Sequence, residues 1–384
     1  RVRKSKAFKR QRDAQSFAAR KTRELRGEVC QAADETDELI LGLGDTSVSA
    51  FVDTYLERRK TDGLRAATLG LFRGSLSRLV SCFGPSRAIA TITTDDLSRF
   101  LAEQRMLVDG RTDQPLAKSS RNGIIRDLRT MFSFAEAWGY LAKSPMTGIR
   151  MLKVHQDDKR GWYYFSPSDL RALLRAAPTL REKAVYAMAY GTGLRFGELF
   201  ALRPEDIDLA EEYVHIRPRD GDVCTPPFRI KDHERRSVPL PRYAARLTAG
   251  WMRRRPVGSP FLFITPERFT FIQARWQKLR ARGEQWQNRF LANNVVRDLK
   301  RHAKWADIVP EAPITMHSLR KSYGRNGARC LSPEVLQEYM GHSNVATTLT
   351  YYSKRGADDD AHARRVLDAL FKGGPMQNSK LSDV

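Results

Sequence analysis

The stretch HSLRKSYGRNGARCLSPEVLQEYMGHSNVATTLTY, residues 317–351, decides how the rest of the chain is read. It opens on His317-Ser318-Leu319-Arg320, passes through Gly341-His342-Ser343 and closes on Tyr351. Residues three apart on a helix share a face, so His317 and Arg320 can reach the same ligand. An always-charged planar fork, two imidazoles and a phenol suit one kind of substrate well. With a phosphodiester, arginine and histidine hold the non-bridging oxygens while a hydroxyl attacks phosphorus.

Working outward, GTGLRFGELFALRPEDIDL, residues 191–209, supplies a second arginine, Arg195. Glycines before it let the backbone turn tightly and approach a ligand. Glu198, one turn later, is spaced to orient the guanidinium. RIKDHERRSVPL, residues 229–240, supplies Lys231. Residues 228–231 and 236–240 flank a charged turn and read as a hairpin. Taken singly, an arginine at a helix start or a lysine at a turn is usually only solvated. The three strings together resemble the tyrosine recombinase (phage integrase) family, whose first arginine box, β-hairpin lysine, H-x-x-R, G-H and downstream Tyr occur here in order.

That resemblance implies a site made of Arg195, Lys231, His317, Arg320 and His342, with Tyr351 as nucleophile and Glu198 in support. Adjacent helical residues point about 100° apart, so one of Tyr351 and Tyr352 faces the phosphate. The family run G-H-S-x-x-x-T-T-x-x-Y lands on Tyr351. For His342, a chemical and a structural role both stay open. Tyr323 matches an apolar core position. The implied activity is site-specific DNA cutting and rejoining through a covalent 3′-phosphotyrosine, with no cofactor, metal or ATP. The implied partners are double-stranded recombination sites, three further copies of the chain in a tetramer on two sites, and an accessory DNA-bending or directionality protein. The rival readings are a DNA-binding protein without catalysis, a type IB topoisomerase or telomere resolvase, and a basic structural nucleic-acid protein.

Composition agrees with a polyanionic partner. The 384 residues carry 67 Lys+Arg against 44 Asp+Glu, a formal net charge of +23. Such an excess of one sign is more than solubility needs. The sequence contains no apolar run of spanning length and no lipidation motif, so nucleic acid is preferred over a membrane surface. Cys30, Cys82, Cys224 and Cys330 are scattered, with no metal-ligand spacing, which fits free thiols in the cytoplasm.

The expected fold is mainly α with a small antiparallel β component, a helical-bundle core-binding domain followed by a mixed α/β catalytic domain. Residues 1–28 hold eleven Lys/Arg against three acids and form a basic arm whose Lys4, Lys6, Lys9 and Arg10 would meet phosphates. Its Phe8-Lys9-Arg10 and Ala14-Gln15-Ser16-Phe17 resemble the last strand and helix of an integrase arm-site-binding domain. Residues 29–46 read as a linker and 47–150 as an all-helical bundle. Thr93 with Asp96 caps one of its helices, and Ser119 or Ser120 caps the last. Arg121, Arg126 and Arg129 on that last helix are candidate DNA contacts. Residues 151–160 read as a second linker, 161–372 as the catalytic domain and 373–384 as a tail. Ser166-Pro167-Ser168-Asp169 is a strong helix start. The apolar stripe Ala363, Val366, Leu367, Leu370 and Phe371 is suited to docking on a neighbouring copy or on its own domain.

Overall fold

The computed structural model describes residues 45–103, 105–108, 112–155, 161–230 and 235–352. Lys4, Lys6, Lys9, Arg10, Lys231 and the stripe at 363–371 lie outside the described residues. The chain divides into two compact units, Arg1–Lys159 and Arg160–Val384. Both are chiefly helical, and the second adds one three-stranded antiparallel sheet, so the fold is mainly α with a small β component.

In the first unit, α1 (Val48–Thr61), α2 (Ala66–Phe83), α3 (Thr94–Ala102) and α4 (Lys118–Ala137) surround one core. Phe51, Tyr55, Leu76, Leu97, Leu128 and Phe132 are buried in it. The stripes at helical spacing explain this, because each helix hides one face. Thr93 and Asp96 form a reciprocal capping box at the start of α3. Two expectations are corrected. Helix α4 begins at Lys118 behind Ala117, with no side-chain cap, so neither Ser119 nor Ser120 serves as one. The region is also not all helix: β1 (Arg105–Val108) and β2 (Thr112–Pro115) pair antiparallel, with Val108 opposite Thr112. Four-residue strands are too short to display a period, but Asp109-Gly110 between them is a hairpin-turn dipeptide.

The second unit is built around α6 (Leu180–Thr192), buried on every side from Ala184 to Thr192. It packs against α5 (Pro167–Ala176), α8 (Arg242–Arg254) and α11 (Met316–Gly327). A helix apolar all round belongs in a core, and this one carries the chain to the site. Ser166 and Asp169 cap α5 as the sequence indicates. Short α7 (Phe196–Ala201) follows α6, and strands β3 (Ile207–Asp208), β4 (Tyr213–Ile216) and β5 (Arg236–Pro239) form the sheet in that order. Helices α9 (Pro266–Ala281) and α10 (Val295–Trp305) precede α11, and α12 (Pro333–Met340) and α13 (Val345–Tyr352) follow it.

The expected hairpin is corrected too. Among the described residues, β5 pairs with β4, Val238 opposite Val214, while Phe228 bridges Arg219. Val214, Ile216 and Val238 turn their side chains into the core. That shared burial selects β4 as the partner of β5.

Candidate active site

Helix α6 ends at Gly193, whose φ of +61° is left-handed, and a Cβ there would lie 2.3 Å from the Tyr323 ring. Glycine alone fits both conditions. The turn leaves Arg195 as the N-cap of α7 and Glu198 at its third position. Glu198 Oε2 accepts the Arg195 backbone N–H at 2.9 Å, and Oε1 accepts Arg195 Nη1 at 3.0 Å. The carboxylate therefore fixes both ends of Arg195.

Arg320 rises from α11 and is 2% exposed. Its Nη1 donates to Gly193 O and its Nη2 to Met340 O, each at 2.6 Å. Arg195 Nη2 donates to the next carbonyl, Gly341 O. The two guanidiniums expected from distant parts of the sequence thus converge on adjacent carbonyls. A third guanidinium, Arg236 from β5, donates from Nε to Tyr339 O at 3.0 Å. Three successive carbonyls at the C-terminal end of α12 each receive one arginine. These are groups a helix leaves without intrahelical partners, and they carry the negative end of its dipole. Gly341 has φ +60°, which closes the helix and turns the chain into His342.

Glu198 is 4% exposed. Burial alone would raise its carboxyl, but Arg236 and then Arg195 outweigh that and hold it below the ordinary range. Arg320 is lowered to about 10, first by burial, with Arg195 and Arg236 adding repulsion against the pull of Glu198. The site is thus a dense, incompletely neutralised cationic centre.

His317 sits on the same helix as Arg320, and Trp162 packs edge-on against its ring at 5.3 Å. Burial and then Arg320, Lys321 and Arg195 lower His317 to about 4. Its ring still has an exposed side, where water tempers that shift. His342 is half-buried and lowered to about 4 by burial and then Arg320, Arg195 and Lys321. His342 Nδ1 is 2.9 Å from Thr348 Oγ1, and its ring lies parallel to Tyr351 at 6.2 Å. His342 therefore braces α13, the helix carrying the phenol.

Tyr351 is 6% exposed and packs with Leu336 and Met340. Burial pushes its phenol up to about 12, with Arg320 opposing. The ring lies against Gly324, where a Cβ would be 2.7 Å from Cε1 and Cζ. Lys321 Nζ stands 4.9 Å over the Tyr351 ring and 5.4 Å over that of Trp162. Tyr352 turns away and donates to Leu331 O at 2.6 Å. Tyr323 is half-buried against Gly193, in keeping with a packing role.

Lys321 and Trp162 were not among the residues expected from the sequence, and Arg236 entered only as one of the cations neighbouring Lys231 in its string. Lys321 follows Arg320 directly, so an adjacent cation was visible. Nothing local marks Trp162 or Arg236. In the first unit, Arg126 is exposed, Arg121 is half-buried, and Arg129 donates from Nη2 to Ile149 O at 2.7 Å. Among the described residues no cluster of His, Cys, Asp and Glu could hold a metal ion, and no helix is long and apolar enough to cross a membrane.

Residues 164–357 match the phage integrase family. Tyrosine recombinase XerD of Listeria innocua is 27% identical over 303 residues, covering 75% of this chain and 88% of the relative. Tyrosine recombinase XerA of Pyrococcus furiosus is 26% identical over 186 residues, and the alignment spans 54% of that protein. Among solved structures, the integrase of the Tn1549 transposon in complex with transposon right end DNA superposes with a TM-score of 0.63 at 18% identity. It is matched along 100% of its length by 84% of this chain. A lambda integrase dimer bound to a COC′ core site gives 0.58 at 17% identity, covering 81% of this chain and 97% of that one.

Proposed function

The chain belongs to the phage integrase family and is a tyrosine site-specific recombinase, and we propose that it cuts and rejoins duplex DNA through a 3′-phosphotyrosine made on Tyr351. One observation carries this reading. Arg195 and Arg320, 125 residues apart in sequence (320 − 195), direct their N–H groups at adjacent carbonyls beside the Tyr351 helix. A scissile phosphate offers the same guanidiniums two non-bridging oxygens of fuller charge. Donors aimed at a phosphoryl group's oxygens stabilise the charge that builds in the transition state.

In the proposed step the Tyr351 oxygen bonds to phosphorus and the bond from phosphorus to the 5′ oxygen breaks. A phenol near 12 is protonated at neutral pH, so its proton must leave as attack proceeds. His317, on the family resemblance, would help there as base or hydrogen-bond donor. Lys231, on the family resemblance, gives a proton to the leaving 5′ oxygen. The new ester keeps the energy of the old one, so a 5′-hydroxyl from a second DNA reverses the step and exchanges strands. Four protomers on two sites, assisted by a DNA-bending or directionality protein, complete the reading. The arm's Lys4, Lys6, Lys9 and Arg10 and the bundle's Arg121, Arg126 and Arg129 would contact phosphates outside the reacting one.

The test is covalent capture. The full chain is incubated with nicked duplexes of random sequence and washed under denaturing conditions, and the retained DNA is recovered. Wild type retains a defined sequence and Tyr351→Phe retains none. Absence of any wild-type adduct refutes catalysis; an adduct with Tyr351→Phe refutes the nucleophile.

A further inference from the structure

We propose that Arg236 is a positioning residue for strand cleavage, aiming Arg195 through Glu198 and holding the end of α12 against the site. The proposal rests on the recombinase reading above. Arg236 is the most enclosed ion-pair partner Glu198 has, with 5% of its side chain exposed. Its Nη1 meets Glu198 Oε1 at 3.1 Å and its Nη2 meets Oε2 at 2.6 Å. Each of those oxygens also accepts from Arg195, Oε1 from Nη1 and Oε2 from the backbone N–H. Glu198 is thus a four-bond junction, and Arg236, the more enclosed of its two arginines, supplies half of it.

Removing that half would leave a buried carboxylate with one partner, free to swing toward Arg195 or to take up a proton. Either change releases the Arg195 fork from its present aim. Arg236 also binds Tyr339 O, two residues before Gly341 and three before His342. At Gly341 a Cβ would lie 2.9 Å from Arg236 Cζ and Nη1, so the backbone there runs directly over the guanidinium. One planar side chain therefore ties β5, α7 and the end of α12 together. Lysine cannot do this, because one ammonium does not fork a carboxylate while reaching a carbonyl on another element. Arg236 is 5% exposed and its Nε, Nη1 and Nη2 each bond within the protein, so its effect on the phosphate is assigned to its hold on Glu198 and on the end of α12.

The test uses the full chain, the duplex recovered by covalent capture, and a second duplex with a neutral methylphosphonate at the scissile position. The neutral group removes the charge that Arg195 is there to offset. On the phosphate substrate, Arg236→Gln forms adduct about 100-fold more slowly at saturating DNA, the loss expected for a misplaced catalytic group. Arg236→Lys recovers little of that rate. DNA affinity stays within about threefold. On the methylphosphonate substrate the gap between wild type and Arg236→Gln closes to a few-fold. If Arg236→Gln does not fold, Arg236→Lys, which keeps a cation beside Glu198 but loses the fork, makes the same comparison on the two substrates. Wild-type rates in these variants, or an equal loss on both substrates, overturn the positioning role while leaving the recombinase reading intact. No wild-type adduct on either substrate overturns that reading instead.

Discussion

Two sets of arginines in this molecule live under opposite conditions. In the second unit Arg195, Arg236 and Arg320 are held by named acceptors, and two of them are almost wholly enclosed. In the first unit Arg126 stands in solvent and Arg129 spends part of its fork on Ile149 O. An enclosed guanidinium has lost its hydration and can persist only where acceptors replace it. Its direction is then fixed by the fold, which is what chemistry at one phosphate needs. An exposed guanidinium keeps its water and its freedom, and what it contributes to a polyanion is charge. On the proposed reading the same residue type would serve as a fixed instrument in one unit and as an exposed countercharge in the other.

The largest expected effect breaks that contrast at its enclosed end. Arg320→Lys keeps the charge and discards the fork. A lysine ammonium cannot bridge Gly193 O and Met340 O, which belong to different elements, as Nη1 and Nη2 now do. Adduct formation at saturating DNA should fall about 100- to 1,000-fold, the range for losing one oriented donor to a developing oxyanion. Single-turnover rates measured on the captured duplex check this. A rate near wild type would mean that charge alone suffices there, and the distinction between the two sets would disappear.

The next effect sharpens the contrast through pH. His342, half-buried, is lowered to about 4 by burial and then by the cations Arg320, Arg195 and Lys321, against an unfolded value near 6.5, and the exposed His317 is lowered in the same direction with water tempering the shift. Between those values the unfolded chain binds more protons than the folded one. Stability therefore rises with pH across that window and is lost as acid is added from about 6.5 toward about 4. Amide protection factors in α11, α12 and α13, corrected for the intrinsic exchange rate at each pH, should fall in that window, because protonation adds cations to a site already rich in them. His342→Gln should flatten the trend. Unchanged protection from neutral pH down to about 4 would show that the imidazoles are not held neutral by their surroundings.

How much of this was legible in the sequence depends on the length of each dependency. Arg195 and Glu198 form one capping unit three residues apart, and His317 with Arg320 share one helix, so short strings carried them. The capping boxes at Thr93 and Ser166 were equally local. The bonding role of Arg236 was not legible because its acceptors lie 38 and 103 residues away, at Glu198 and Tyr339. The same blindness misassigned β5, whose neighbour β4 is chosen by burial of Val214, Ile216 and Val238 and not by the nearest turn. The β1–β2 ribbon escaped for a different reason: two four-residue strands offer too few positions for a period-two pattern to stand out. Tyr351 was chosen over Tyr352 from register alone; in the structure Tyr352 donates to Leu331 O, while the Tyr351 ring lies parallel to His342.

The smallest expected effect lies at the exposed end. Arg126 on α4 is open to solvent, so Arg126→Lys should leave DNA affinity and cleavage near wild type, because a mobile countercharge needs no fork. Arg126→Ala should weaken binding without altering cleavage at saturating DNA. It should also make the dependence of log affinity on log salt shallower by about 1, the change expected when one phosphate contact is removed. Titrations of the captured duplex at several salt concentrations measure that slope. An unchanged slope would remove Arg126 from the DNA contacts, and a fall in the saturated cleavage rate would make it an oriented residue like Arg320. Applied to Arg129, the same substitution separates the two uses of its fork. Loss of the bond to Ile149 O would appear as faster amide exchange around residue 149, and loss of a phosphate contact as a shallower salt slope.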